Sequence, residues 1–169
     1  MFKSTDFFNN WYEYYQRYVL IFNLIVVISL LPFGWIYIEF EQGGIQPFFQ
    51  NPWMQGVGIL LMGAVGVWQL HRGYFGTRVL IRQIDKSATV KNKLRRYYEF
   101  QMRKFVRYEL IAVLCILGML LFHMVFFAIF YLFIIFLFSL DWPKYTKVVQ
   151  HLRLNKEEQA QLESIEPLI

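Results

Sequence analysis

Three stretches of this chain carry no charged side chain: residues 18–38, 53–70 and 110–140. No other feature restricts the fold so strongly. A run of ~20 apolar residues crosses the ~30 Å hydrocarbon layer of a bilayer as one helix. Inside that layer every backbone N–H and C=O must be bonded within the protein, which favours helices for runs of this kind. A soluble domain can hide one such run in its core, but three of this purity are out of place in water. The composition agrees, with 57% hydrophobic, 20% aromatic and 17% charged residues, against about a quarter charged in ordinary domains. The expected fold class is an all-α polytopic membrane protein.

The third run is ambiguous. As a single helix, residues 110–140 would extend for about 46 Å, well beyond the hydrocarbon core. No Gly, Pro or Asn marks a turn around His123-Met124, which favours one long helix and three spans in all. The charges favour two spans. Lys144, Lys147, Arg153 and Lys156 follow the run closely, and cytoplasmic flanks of membrane proteins are rich in Lys and Arg. Trp142 and Tyr145 beside Lys144 read as an anchor at the same interface. The expected architecture is four transmembrane helices near 18–38, 53–71, 105–122 and 125–141, turning near His123.

That arrangement divides the single membrane domain, 1–169, into an interfacial aromatic helix (1–17), a first hairpin (18–71), a basic cytoplasmic helical segment (72–104), a second hairpin (105–141) and a cytoplasmic tail (142–169). The aromatic start holds Trp11, Tyr12, Tyr14 and Tyr15, rings that favour the headgroup layer. With no small-residue cleavage site after it, the first run is expected to be a retained span. Pro32 should kink it. The connection 39–52 has no Lys or Arg, whereas 72–109 is dense in both. Both termini and the basic segment are therefore expected in the cytoplasm. Asp85, Ser87 and Thr89 supply capping groups for a helix starting between 87 and 89.

Within the second run, Gly56, Gly63 and Ala64 approximate one helix face. Small residues let a neighbouring backbone approach in lipid, so these are candidate packing residues, against the first span or in a homo-oligomer. The basic residues Arg95, Arg96, Arg103 and Lys104 are candidates for docking anionic lipid headgroups or an acidic protein partner. Nucleic acid is not an expected partner, because Tyr97, Tyr98 and Phe100 among those charges are also what a membrane surface selects.

Catalytic and cofactor chemistry is not indicated. The uncharged runs hold Asn23, Ser29, Gln69, Cys115, His123 and Ser139, with no Asp or Glu, so a proton relay is not expected. His71 and His123 fall at different depths, which excludes their sharing one haem within a monomer. A lone cysteine builds neither an intrachain disulfide nor a zinc site. No cofactor, metal or catalytic residue is assigned.

The two-hairpin layout, the inner segment Ile84-Asp85-Lys86-Ser87-Ala88-Thr89-Val90-Lys91 and the closing Tyr145-Thr146-Lys147-Val148-Val149-Gln150-His151-Leu152 resemble small uncharacterised inner-membrane proteins of Bacteroidetes-type bacteria. Some of those accompany extracytoplasmic-function sigma factors. The resemblance implies a membrane-bound regulatory setting and carries over no site. The expected function is therefore non-enzymatic and exercised through contacts, as a scaffold, accessory subunit or signalling partner. The alternatives are a small oligomeric channel or transporter and a membrane-shaping hairpin protein.

Overall fold

The computed structural model describes residues 11–85 and 87–163. Within them the chain is helical, without strands. Helix α1 spans Trp11–Glu41, and α2 spans Pro52–His71. A π-helical turn, Arg72–Gly76, carries α2 on into α3, Thr77–Arg82. Helix α4 spans Val90–Phe122, α5 Val125–Leu140, α6 Tyr145–Leu152 and α7 Lys156–Glu163. Three helical runs are long and apolar enough to cross a membrane: α1, α2 through α3, and α4; α5 makes a fourth when taken with α6. The all-helical, multi-pass class read from the uncharged runs is the observed one.

Local chemistry accounts for the boundaries. Asn51 accepts a hydrogen bond from the Trp53 N–H at 3.0 Å, and Pro52 opens α2 without wasting a donor. Asp85 accepts from the Ser87 N–H at 2.9 Å, turning the chain ahead of α4. Helix α4 begins at Val90, with Thr89 extended before it. It then runs unbroken to Phe122, because nothing between the basic stretch and the third span interrupts the helix. The basic segment and the span are thus one rod.

The rod ends at His123, whose φ of 52° is left-handed, and Met124 is extended. The chain therefore turns where expected without the usual glycine. His is among the side chains that tolerate this region, and the His123 ring is stacked on Phe40 at 4.1 Å. At the far end of α5, Pro143 lacks the N–H a helix would need, and α6 leaves at 78° to α5.

The packing order differs from the sequential hairpins. Helix α4 is the centre, in contact with α1, α2, α3, α5, α6 and α7, while α1 and α2 hardly touch each other. Aromatic rings fill the gap between α1 and the α4–α5 pair. Phe22 meets Phe105 and Phe138 edge-on at 5.5 and 6.0 Å, and Phe33 stacks on Tyr131 at 3.7 Å. Such ring pairs contribute ~0.5–1.5 kcal/mol each beyond the area they bury.

Residues 1–10 of the expected interfacial helix lie outside the described residues. Its remainder is already part of α1, and it does not lie flat on a surface. Tyr14 and Tyr18 are fully buried, and Tyr14 meets Tyr98 of α4 edge-on at 6.0 Å.

Candidate functional site

The charged end of the bundle is where α4 leaves the apolar layer. Measured along the helices from the opposite, loop-bearing end, Tyr18 lies ~35 Å away and Lys104 ~27 Å away at 1.5 Å per residue. Asp141 follows α5 directly and lies ~24 Å from the start of that helix. These three residues bracket the ~30 Å boundary of a hydrocarbon layer, and all three line one cavity of about 290 Å³.

Its walls are built from five places in the chain. The π-helical turn seats Gly73 against Tyr108 and Arg107 of α4, where a Cβ would come within 3.4 Å of the Tyr108 ring. This close approach swings Tyr74 beneath two cations: Arg78 lies 4.7 Å and Lys104 5.2 Å from its ring centroid, favourable positions for a cation over a π face. Lys104 is buried and ion-paired to Asp141. The Tyr18 hydroxyl donates to the Asp141 backbone carbonyl at 3.3 Å.

On the opposite wall Gln101 donates from Nε2 to the Tyr97 hydroxyl at 2.9 Å, and that hydroxyl lies 3.1 Å from His151 Nδ1 of α6. Gln101 is 6% exposed, and its Oε1 has no hydrogen-bond partner among the described residues. Burial lowers the His151 pKa, and the charges of Lys147, Arg78 and Lys104 lower it further against the opposing pull of Asp141. Four cationic side chains, Arg78, Lys104, Lys144 and Lys147, line the cavity against the single carboxylate of Asp141.

Above the cavity the tail folds back on α4. Arg153, at φ 52°, ends α6 in a left-handed turn. Asn155 and Glu158 then start α7 as a reciprocal capping box: the Glu158 N–H donates to Asn155 Oδ1 at 2.7 Å, and the Asn155 N–H to Glu158 Oε2 at 2.9 Å. The other Glu158 oxygen takes the Nζ of Lys93, which is 2% exposed. Burial alone would raise the Glu158 carboxyl, but the hydrogen bonds from Lys93 and Asn155 and the Lys93 charge hold it below its ordinary range. Val148, Leu152, Leu154 and Leu162 bury their side chains in this contact.

The candidate docking residues separate. Arg96 and Arg103 are exposed, and Arg95 pairs with Glu99 at 3.1 Å on the same surface. Lys104 is a correction: it points inward to Asp141 rather than outward to a partner, because its position on α4 faces the α5–α6 corner. The candidate packing residues require a second correction. A Cβ at Gly56 or Gly63 would meet nothing within 4 Å, and Ala64 is exposed, so they do not pack α2 on α1. The glycines that admit a neighbour are Gly58 against Phe122, Gly66 against Phe130 and Gly118 against Phe127. Phenylalanine rings, not a second backbone, occupy the small-residue sites.

A third correction concerns ionisable groups at depth. Glu109 stands just before the third uncharged run and lies within the apolar part of α4. Its carboxylate sits beside Ser29 of α1 without a formed hydrogen bond, and Tyr131 of α5 donates to Ser29 Oγ at 3.4 Å. His71 and His123 end antiparallel helices at opposite ends of the bundle. Among the described residues no group of His, Cys, Asp and Glu has the arrangement of a metal site.

Comparison with protein-family models, curated proteins and solved structures finds no match to this chain.

Proposed function

We propose that this chain is a non-enzymatic integral membrane protein that acts through contacts, as a scaffold, accessory subunit or signalling partner. Its charged end and both termini face the cytoplasm of a bacterial inner membrane. The docked tail carries this reading: α7 is held on the basic half of α4 by Glu158 on a single buried lysine, Lys93. An acidic partner has the chemistry to take the place of Glu158, and charge complementarity would steer its approach. Exposed Arg96 and Arg103 on the same helix support anionic headgroup contact, each such residue contributing ~1 kcal/mol near the surface.

Affinity purification from native membranes tests the reading. Wild type and an Arg95→Gln/Arg96→Gln/Arg103→Gln variant would be compared by mass spectrometry for co-purifying protein and lipid. Loss of a partner or lipid set from the variant, with the spans still inserted, is expected. Identical sets in both would remove the docking role. Labelling of an Ala160→Cys/Cys115→Ser protein in intact cells tests orientation, and reaction from outside would reverse it.

Glu109 favours a second reading, the small oligomeric channel or transporter. A carboxylate at hydrocarbon depth is costly and marks ion or proton paths in membrane proteins. Cation or proton flux in liposomes that disappears in Glu109→Gln would place this reading first.

A further inference from the structure

The polar cavity at the charged end has more positive charge than the chain itself neutralises. Arg78, Lys104, Lys144 and Lys147 face one carboxylate, Asp141, which already belongs to Lys104. One wall also presents a buried amide with an unused polar atom, Gln101. Rotating that amide by half a turn exchanges its O and N, so the Tyr97 contact can be kept while an N–H₂ faces the cavity. A buried amide left without a partner destabilises the fold. A filled site would remove that penalty.

We propose that this cavity binds a phosphate monoester, presented by the headgroup of a membrane lipid. A phosphomonoester carries about −1.5 to −2 charge at neutral pH and three strong acceptor oxygens. That charge matches the surplus left by Arg78, Lys144 and Lys147. The guanidinium of Arg78 offers paired donors, the geometry that recognises phosphate. The turned Gln101 amide adds a neutral donor from the inner wall, while the Tyr97 hydroxyl donates to its oxygen and holds it in place. A phosphodiester headgroup brings only one charge and a second bulky substituent, a poorer match to a volume of about 290 Å³, at the lower limit of small-molecule sites.

Position selects the lipid over a soluble compound. Tyr18, Lys104 and Asp141 lie at the ~30 Å boundary of the hydrocarbon layer, the depth at which a phosphate attached to acyl chains resides. The apolar wall beside the cavity includes Leu140 and Trp142, and Leu140 is exposed to the surroundings of the bundle. The cavity is separate from the Lys93–Glu158 contact, so a protein that fails the docking test can still pass this one.

The test uses the full chain in phosphatidylcholine nanodiscs doped either with phosphatidic acid, a phosphomonoester, or with phosphatidylglycerol, a phosphodiester, at equal share. Retained lipid is read by native mass spectrometry and affinity by titration. Arg78→Gln and Lys147→Gln alter side chains at the cavity mouth, and Arg82→Gln, an exposed basic residue that neither lines the cavity nor belongs to the docking set, is the control. Phosphatidic acid should be preferred over phosphatidylglycerol. Each mouth variant should weaken it about tenfold, the effect of one charge-assisted hydrogen bond, and Arg82→Gln should not. A parallel titration with inorganic phosphate in lipid-free detergent distinguishes the source. Saturable binding there with the same variant dependence, and no lipid preference, would keep the phosphate site but overturn its lipid assignment. Equal retention of both lipids without phosphate binding, or equal loss in Arg82→Gln and Arg78→Gln, would overturn the site.

Discussion

Helices α2 and α4 are both apolar enough to cross a bilayer, yet they are used in opposite ways. In its most apolar window α4 has 50% of its residues buried inside the protein, while the run containing α2 has 6%. Hydropathy does not decide it, since lipid and a protein core reward the same side chains: α1 is the most apolar of the three runs and has only 17% of its window buried. The difference lies in which helix has neighbours on every side. Helix α4 is wedged among α1, α2 and α5, and its charged half is gripped by α3, α6 and α7. Helix α2 leans on α4 along a single seam at Gly58, Gly66 and Gly73 and shows Leu60, Leu61, Val67 and Trp68 to the outside. Apolar exposure of this kind marks a face for lipid or for another protein, not an unfinished core.

The sharpest break in this comparison comes at the charged end of α4. Lys104→Met leaves Asp141 half-buried without its cation, and losing one partner of a buried pair costs about 3–5 kcal/mol. Unfolding in mixed micelles should report that loss, and Lys104→Met/Asp141→Leu should recover most of it. A single-mutant effect as small as that of a surface charge would show that the pair stays hydrated.

Truncation compares the two helices directly. Ile111→Ala removes a fully buried side chain from α4 and should cost about 2–5 kcal/mol. Leu60→Ala, at a position 75% exposed on α2, should stay within about 0.5 kcal/mol. Equal costs measured in the same micelles would mean that α2 is buried by a partner that the monomer lacks.

That possibility is sharpened by glycine replacement. Gly118→Leu drives a side chain into the Phe127 ring and should destabilise by about 1–3 kcal/mol. Gly56→Leu should leave monomer stability unchanged, because its Cβ position is open and the residue is exposed. Cross-linking in membranes then decides the use of that face. A dimer lost in Gly56→Leu assigns it to a second copy, and an unchanged pattern assigns it to lipid.

The smallest effect expected is on the tail, and it depends on pH. The Glu158 carboxyl is held below its ordinary value of 4.5. Its contribution to docking is therefore complete above that value and is lost as pH falls through the lowered one. His151 titrates below its ordinary 6.5, chiefly through burial. Between 6.5 and its lowered value the released tail binds a proton that the docked tail does not, so docking weakens as pH falls there too. Spin labels at Asn92 and Ala160 should report a lengthening distance in two steps on acidification, with the lower step absent in Glu158→Gln. A distance constant from neutral pH down to the pH at which the chain unfolds would remove both groups from the latch.

Much of this was legible beforehand. Uncharged length reports spans because the bilayer imposes a minimum run, and the return of Lys144 and Lys147 after residue 140 correctly separated α4 from α5 even though His123 carries no usual turn signal. Other features were not legible. The stripe of Leu94, Tyr97, Phe105 and Tyr108 puts Lys93 and Lys104 on the inward face of α4, but nothing local shows that each meets a carboxylate there. Tyr97 and Gln101 lie one turn apart on α4, but His151 comes from a distant segment, and only the 78° bend after α5 brings it to them. A fuller reading of the interval 105–110 would have found Glu109, because a span starting at 105 necessarily contains it.

The sequence by itself determined that this chain is helical, that it has runs fit to cross a membrane and that the third run turns near His123, because those outcomes depend on runs of adjacent residues and on the uniform thickness of lipid. The tertiary structure alone decided which helix became the centre, which carboxylate each inward cation meets and where four cations face a single carboxylate. Those outcomes depend on the rotation of one helix against another, and side-chain packing settles that rotation only once all the helices are present.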